Sequence, residues 1–373
     1  FFVFTHTPQI HLLTVTHDSQ AALFHGPNTP WELRSSPICP PTNGQILVKV
    51  LACTICGSDL HTICGRRSAH TPAVLGHEIV GQILRFGNNA PKTDATGATL
   101  DIGDRVVWTL VANCGQCYFC NHQLPQKCVN GYKYGHQQIT HQTCWHGGFA
   151  SHCTLVSGTH LVKVPDTISD NQAAPIGCAT ATIAAAVRTA NLNPHESVLV
   201  IGAGMLGLTA CAFAKSIKPR NLVCIELDPY RRSLADQFGA NSTIAPNKLD
   251  LKSSDPDLQI GFDVVLECSG TNDGALEALE LVRIGGRVVL VGAVFPSQPA
   301  PIVIENIVRK QLTIQGVHNY QIKDLICAVD FIKKYSDEFP FESLVTHSFG
   351  LHQIDQAIRF AQDSRNIRVA IRP

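Results

Sequence analysis

Cys114, Cys117, Cys120 and Cys128 place four thiols within one short, turn-rich segment. Four soft sulfur donors at such spacing suit a closed tetrahedral zinc with a structural role, with no coordination position left for substrate. The competing reading is a set of inert buried cysteines, yet Cys at every third position is an unusual packing choice beside Gly115 and Gln116. A second possible metal centre is dispersed along the chain. Cys56, in Cys56-Gly57-Ser58-Asp59-Leu60-His61, His77, in Gly76-His77-Glu78, and Cys178 supply two thiolates and an imidazole. Two Cys and one His leave a fourth position open, the arrangement that activates an oxygen ligand. A lone His such as His77 is also an ordinary hydrogen-bonded structural residue, and spacing leaves both readings open.

The third chemical feature is Val198-Leu199-Val200-Ile201-Gly202-Ala203-Gly204-Met205-Leu206-Gly207, an apolar strand running into G-x-G-x-x-G and then a helix. Gly202 permits the tight turn, Gly204 lets a pyrophosphate approach the backbone, and Gly207 lets helix and strand pack closely. Met205 and Leu206 belong to the same cofactor-binding turn, and the phosphates belong at the helix N-terminus. Glu226 ends the next strand about 20 residues on, where an acid accepts from ribose hydroxyls and repels a 2′-phosphate. That favours NAD over NADP, while Arg231 lines the adenosine ribose and softens the preference. A glycine turn without a nucleotide is the alternative.

The elements that must hold these residues change character along the chain. Residues from about 20 to 165 read as short β-rich runs, with strands at Ile46–Val50, Arg105–Trp108 and Phe149–Val156 broken by Gly and Pro. From Cys178 onward strands alternate with helices. Helices are expected at Ala179–Ala190, Met205–Ile217 and Asp273–Val282, and strands at Ser197–Ile201, Asn221–Glu226, Phe262–Glu267, Arg287–Val291 and Leu312–Gly316. Such alternation implies parallel strands with right-handed crossovers. The tail adds helices at Ile322–Lys334 and Ile354–Gln362 and a strand at Arg368–Arg372, which need not join that sheet.

Composition narrows the classes. The 373 residues suffice for two domains, and 45% hydrophobic with 16% charged residues describes a packed globular protein. Lys+Arg and Asp+Glu both total 29, so no basic field is available for nucleic acid or an anionic membrane. No apolar run approaches the roughly 18 residues that cross a bilayer. The 15 cysteines are an odd count in a large chain, which speaks against a disulfide framework. Phe1 to Thr16 lacks the basic flank and small-residue cleavage site of a signal peptide, so a reducing cytoplasm is expected. The sole Met is Met205, and the numbered start need not be the native one.

These motifs, together with Gly103-Asp104-Arg105-Val106, occur in the order seen in zinc-dependent medium-chain alcohol dehydrogenases, which the chain resembles from about residue 20 to its end. The resemblance implies an α/β protein: a GroES-like β-rich catalytic domain plus a Rossmann doubly wound parallel-sheet cofactor domain. The expected division is 1–177 for the catalytic domain with its structural zinc lobe at about 112–130, 178–317 for the Rossmann domain, and 318–373 as the return segment. Carried over, Cys56, His77 and Cys178 match the catalytic zinc ligands, and Glu78 the acid that serves some relatives as a transient ligand. Asp59 matches the carboxylate that orients the ligating His. Ser58 and His61 match the hydroxyl and imidazole that pass the alcohol proton to solvent. Arg368 resembles the basic residue that closes on the pyrophosphate, and Gly270 and Val291-Gly292-Ala293 fall where ribose and nicotinamide are contacted. Two zinc ions per chain and NAD follow, with hydride transfer between an alcohol or aldehyde and the nicotinamide. The resemblance also suggests a homodimer or homotetramer, with strands near Val288–Val291 and beyond pairing across subunits.

Substrate identity is less determined. Gly177–Thr182, Gly316–Tyr320 and Phe339–Glu342 are similar to a phosphonate-catabolism-associated subgroup, which suggests a phosphonate-bearing alcohol. Arg66 and Arg67 offer planar forks for such an anion, against the plainer reading of a solvated pair. His136, His141 and His146, with Cys144 and Trp145, form a patch better read as a loop or exposed turn than as a third metal site. Cys53, Cys211, Cys224 and Cys268 read as small core residues. Two alternatives remain: a zinc-free enone or quinone reductase of this fold, and a non-catalytic NAD-binding protein.

Overall fold

The computed structural model describes residues 18–140, 144–246 and 259–373. The strand Ser197–Ile201 is buried at every position and lies between parallel neighbours Asn221–Ile225 and Phe262–Glu267. Continuous apolar sequence without alternation is what a strand covered on both faces requires. Ser242–Ile244 extends this sheet on one side, and Val282–Leu290 then Thr313–Gly316 on the other, giving six parallel strands. The chain starts at the centre, builds outward one way, then returns to build the other. The reversal falls between Ser197–Ile201 and Phe262–Glu267, so the crevice for a ligand opens at their carboxyl ends.

The second lobe is the β-rich one. Its main sheet runs Leu161–Lys163, Arg105–Trp108, Glu78–Phe86, Ile46–Thr54, Arg368–Ile371 and Val345–Phe349, with His152–Leu155 also paired to Ile46–Thr54. The expected strand at Phe149–Val156 therefore begins later, at His152. Glu32–Pro37, Asp18–Phe24 and Ala73–Val74 form a small sheet beside it. The fold is thus a GroES-like domain plus a Rossmann domain.

The helix Ile322–Tyr335 packs on the Rossmann side. Phe331 stacks on Phe213 with ring centroids 3.7 Å apart, and Asp324 pairs with Arg188 at 2.7 Å. Return to the catalytic sheet comes with Val345–Phe349 and Arg368–Ile371, later than the expected boundary at 317/318. Tyr320 ties the lobes together: its hydroxyl donates to the Gly177 carbonyl and accepts from the Leu110 amide. The strand containing Val288–Val289 has partners on both sides, so the edge of the six-stranded sheet on that side is Thr313–Gly316, with Ser242–Ile244 at the other edge. Cys39 and Cys144 form a disulfide across 105 positions, a pairing that the cysteine count did not suggest.

Candidate active site

Three segments of the β-rich lobe meet at one point. Cys56 follows the strand Ile46–Thr54 and caps the helix Gly57–Ile63. His77 directly precedes the strand Glu78–Phe86, which is antiparallel to the first and pairs Glu78 with Thr54. Gly76 makes the turn before His77 at φ +84°, and a Cβ there would lie 2.6 Å from Phe149. Cys178 comes from the other direction, capping the helix Ala179–Ala190 at the border with the nucleotide lobe. Their donor atoms lie within 4.8 Å of one another.

Asp59 organises this cluster. Its Oδ1 accepts from His77 Nδ1 at 3.1 Å, and its Oδ2 accepts from the Cys56 amide at 3.0 Å. Holding Nδ1 leaves Nε2 as the free donor, and that atom is 3.2 Å from Ser58 Oγ. Burial works against a charged His77, but Asp59 and Cys56 outweigh it and lift its pKa to about 10. The Cys178 thiol hydrogen-bonds Cys56, lowering the Cys56 pKa and raising its own. A cage that stabilises this much positive charge without a metal suits a divalent cation, and two sulfurs with one imidazole are zinc-type donors.

The four-cysteine lobe passes a similar test. Sulfur separations are 3.5 Å for Cys117–Cys120, 3.8 Å for Cys117–Cys128 and 3.4 Å for Cys114–Cys128. Zn–S bonds of about 2.3 Å in a tetrahedron require sulfurs about 3.8 Å apart, so the preformed cage is close to the size of the ion. Hydrogen bonds from the backbone at Cys120 lower the Cys117 pKa to about 6, while burial raises that of Cys120 to about 11.

Glu78, expected as a neighbouring acid and transient ligand, stands beside the three donors. It is fully buried, with Oε2 accepting from Arg368 Nε at 2.7 Å and from Thr54 Oγ1 at 2.6 Å, and Oε1 from Arg368 Nη2 at 2.8 Å. A carboxylate engaged in this way stands beside the donor set and is absent from it. Arg368 is held by the same contacts. Nε and Nη2 grip Glu78, Nη1 donates to the Ile367 carbonyl, and Nη2 lies 3.7 Å from Cys56 Sγ, which sets the guanidinium beside the metal donors in the cleft that Gly204 and Met205 also line.

Across the cleft, the glycines behave as their spacing implied. A Cβ on Gly202 (φ +92°) would lie 2.9 Å from Ser269, and one on Gly207 would lie 1.6 Å from the Gly202 carbonyl oxygen. At Gly204 the nearest atom would be Arg231 Nη1 at 3.8 Å, leaving that backbone open. Glu226 accepts from the Ala203 amide at 2.6 Å and from the Asp228 amide at 2.9 Å, holding the loop while retaining lone pairs for ribose. Arg231 donates through Nε to the Ser364 carbonyl. Gly270 and Gly292 touch: a Cβ on Gly292 would meet the Gly270 amide nitrogen at 2.2 Å.

One cleft joins these groups. Cys56, Ser58, His61, His77, Cys178 and Arg368 line it from one lobe, and Gly204, Met205, Leu206, Val291 and Gly292 from the other. Ala293 is not in the lining, while Val294 is. Arg67 lines the cleft and Arg66 is exposed outside it, so the two do not form a joint fork. Lys133 and His318, neither assigned a role of its own from sequence, complete the wall, and Cys268 lines it while also packing against the core. Within the histidine patch, the His136 ring lies tilted against that of His77 with centroids 5.0 Å apart, His146 Nδ1 bonds the Thr154 carbonyl, Trp145 is buried and His141 lies outside the described residues.

Two family models match the chain, the alcohol dehydrogenase GroES-like domain over residues 42–166 and the zinc-binding dehydrogenase domain over residues 206–334. The chain belongs to the zinc-dependent medium-chain alcohol dehydrogenase family. It is 27% identical over 348 residues to 5-exo-hydroxycamphor dehydrogenase of Pseudomonas putida, covering 91% of this chain and 94% of that one. The crystal structure of an alcohol dehydrogenase from Thermotoga maritima matches with TM-score 0.88 and 27% identity over 95% of this chain and 99% of that one. An Escherichia coli alcohol dehydrogenase complexed with NADH matches with TM-score 0.81 and 26% identity, over the same 95% and 99%.

Proposed function

We propose that this chain is a zinc-dependent oxidoreductase that moves hydride between an alcohol and NAD, in either direction. The observation that carries the proposal is the convergence of Cys56, His77 and Cys178 in the cleft that the Gly204–Leu206 turn also lines. Cys56, His77 and Cys178 hold a catalytic zinc, and Cys114, Cys117, Cys120 and Cys128 a structural one, giving two ions per chain. When bound, the zinc supplies Lewis acidity toward an alcohol or carbonyl oxygen, and the nicotinamide accepts or returns hydride.

The chain's own residues bind, orient and move a proton. Asp59 fixes the His77 ring, and Ser58, beside the ligating nitrogen, is placed to take the proton of an incoming hydroxyl. His61 stands one turn along the same helix and has no hydrogen bond to Ser58, so a bridging hydroxyl is needed between them. Burial, with Arg66 and Arg67 nearby, holds the His61 pKa below the usual range, and its buried Nδ1 has no partner. A neutral imidazole with an open ring nitrogen is suited to receive that proton.

Glu226 supports NAD over NADP, and the NADH-bound relative supports a nicotinamide cofactor. The substrate we favour is an alcohol bearing an anionic group such as a phosphonate. The assembly is a homodimer or homotetramer formed through the exposed edge strand Thr313–Gly316, near which Val303, Ile304 and Val308 are exposed. No helix among the described residues is long and apolar enough to cross a membrane, and we place the enzyme in the cytoplasm. Metal analysis combined with a spectrophotometric alcohol and aldehyde panel, run with NAD and NADP side by side, tests the proposal. About two zinc ions and alcohol-dependent NADH formation are expected from the donor sets. A zinc-free protein that reduces enones, or a zinc-loaded protein that binds NADH without turning over any alcohol or aldehyde, overturns it.

A further inference from the structure

The cleft has an unbalanced charge that the metal and cofactor chemistry does not use. Arg67, Lys133 and Arg368 line it, with His61, His77 and His318, and among the described residues not one Asp or Glu does. Arg368 is neutralised from behind by Glu78. Arg67 and Lys133 are different, because neither side chain has a hydrogen bond or ion pair among the described residues.

Lys133 is the unusual member. It ends the short strand Tyr132–Lys133, paired with Val111–Ala112, in the segment that follows the four-cysteine lobe. Burial, with Arg67 and Lys127 nearby, lowers its pKa to about 8, so it is mostly cationic at neutral pH. Cys178 and Cys56 act on it in the opposite direction, which puts it within electrostatic range of the metal donors. An ammonium held in a cleft without a counter-ion is costly unless an anion arrives.

His318 stands on the facing wall, just beyond the last strand of the nucleotide sheet, Thr313–Gly316. Lys127 Nζ donates to its Nδ1 at 2.5 Å, which fixes the tautomer and leaves Nε2–H as a donor. Burial and the surrounding cations lower its pKa to about 4, so it serves as a neutral donor. A pyrophosphate does not account for this group, because its place is at the Gly202–Met205 turn, where Arg231 is the neighbouring cation.

We infer that Lys133, Arg67 and His318 form an anion subsite in the substrate cleft, and that the natural substrate is an alcohol or aldehyde carrying an oxyanion headgroup at its far end. The inference rests on the dehydrogenase reading for the alcohol, but the subsite itself is a binding claim. It replaces the Arg66–Arg67 pair as the anion's partner, since Arg66 lies outside the cleft.

The test pairs turnover with binding. Enzyme loaded with zinc and NAD is assayed on 3-hydroxypropylphosphonate, 4-hydroxybutyrate and 1-butanol in the parent chain, Lys133→Met and Lys133→Arg. The kcat/KM ratio of each anionic alcohol to 1-butanol should fall by about 10- to 100-fold in Lys133→Met, the range for losing one hydrogen bond to a charged group. Lys133→Arg should recover most of the ratio, and comparing the two anions tells phosphonate from carboxylate. In parallel, n-propylphosphonate, which has no hydroxyl to oxidise, is titrated calorimetrically into the NADH-bound protein. Binding by the parent that is weakened in Lys133→Met supports the subsite even if no alcohol is oxidised, which would separate its fate from that of the proposed activity. An unchanged ratio, no propylphosphonate binding by the parent, or a Lys133→Met effect on NADH affinity instead of on anion affinity overturns the inference.

Discussion

Asp59 gives the most direct handle on the metal site. It is 2% exposed, and its two oxygens serve different donors: Oδ1 takes His77 Nδ1–H at 3.1 Å and the Gly76 amide at 3.4 Å, and Oδ2 takes the Cys56 amide at 3.0 Å. In Asp59→Asn the side chain keeps its shape but has one oxygen and one NH2 group. Whichever way it turns, one donor faces another, either at His77 or at Cys56. One hydrogen bond to a charged group is worth about 1.5–3 kcal/mol, and about 1.4 kcal/mol is tenfold in affinity. Zinc affinity at Cys56, His77 and Cys178 should therefore fall by about 10- to 100-fold, the range seen when a residue orienting a metal-bound His is removed. The assay is equilibrium competition with a chromophoric chelator, counting zinc per chain in parent and variant. The four-cysteine ion is the internal control, since none of its ligands touches Asp59. A loss at both sites would indicate misfolding, and an affinity unchanged at the dispersed site would refute the reasoning.

Three further outcomes follow from the same geometry. Loading zinc at the dispersed site must displace the proton of His77, raised to about 10, and that of Cys178, also raised, so apparent affinity should fall as pH drops from 8 to 6, by up to about 100-fold per pH unit; chelator competition across that range checks it, and a flat profile contradicts it. Glu226→Ala removes the acid that accepts from Ala203 and Asp228, so the NAD to NADP ratio of kcat/KM should drop by about tenfold or more, the cost of one such hydrogen bond to a charged group; an unchanged ratio would show that Glu226 does not select the cofactor. Gly207→Ala puts a methyl 1.6 Å from the Gly202 carbonyl oxygen, so urea denaturation should show a loss of about 1–3 kcal/mol or more together with weaker NADH binding, whereas parent-like behaviour in both would contradict the packing described.

How far the site could be read from sequence depended on how local each part is. The four-cysteine lobe is legible because its ligands are neighbours in the chain. The dinucleotide turn is legible because each glycine is required by a close approach that spacing alone encodes. Ala179–Ala190, Ser197–Ile201, Met205–Ser216, Asn221–Ile225 and Phe262–Glu267 were placed to within a residue or so, since buried parallel strands carry uninterrupted apolar runs, whereas the helix Pro229–Gln237 and the edge strand Ser242–Ile244, without such runs, were not foreseen. Cys56, His77 and Cys178 could be grouped by donor type, but spacing left a structural histidine equally open and the family resemblance decided it, because three separate segments bring them together. The pairing of Arg368 with Glu78 was not foreseen, since a sequence does not tell which buried carboxylate satisfies a guanidinium 290 positions away. Lys133 carried no signal, and His318 appeared only within the stretch Gly316–Tyr320 without a role of its own: a lysine in a two-residue strand and a histidine after a strand become notable only when the cleft leaves them without acids among the described residues.

The central claim is that an ion shared by Cys56, His77 and Cys178 faces the nicotinamide site across the cleft. Anomalous diffraction at the zinc edge, from crystals of protein that turns over alcohol, tests it most directly. Two peaks per chain are expected, one amid Cys114, Cys117, Cys120 and Cys128 and one amid Cys56, His77 and Cys178. An active crystal with a peak in the four-cysteine lobe alone would contradict the account.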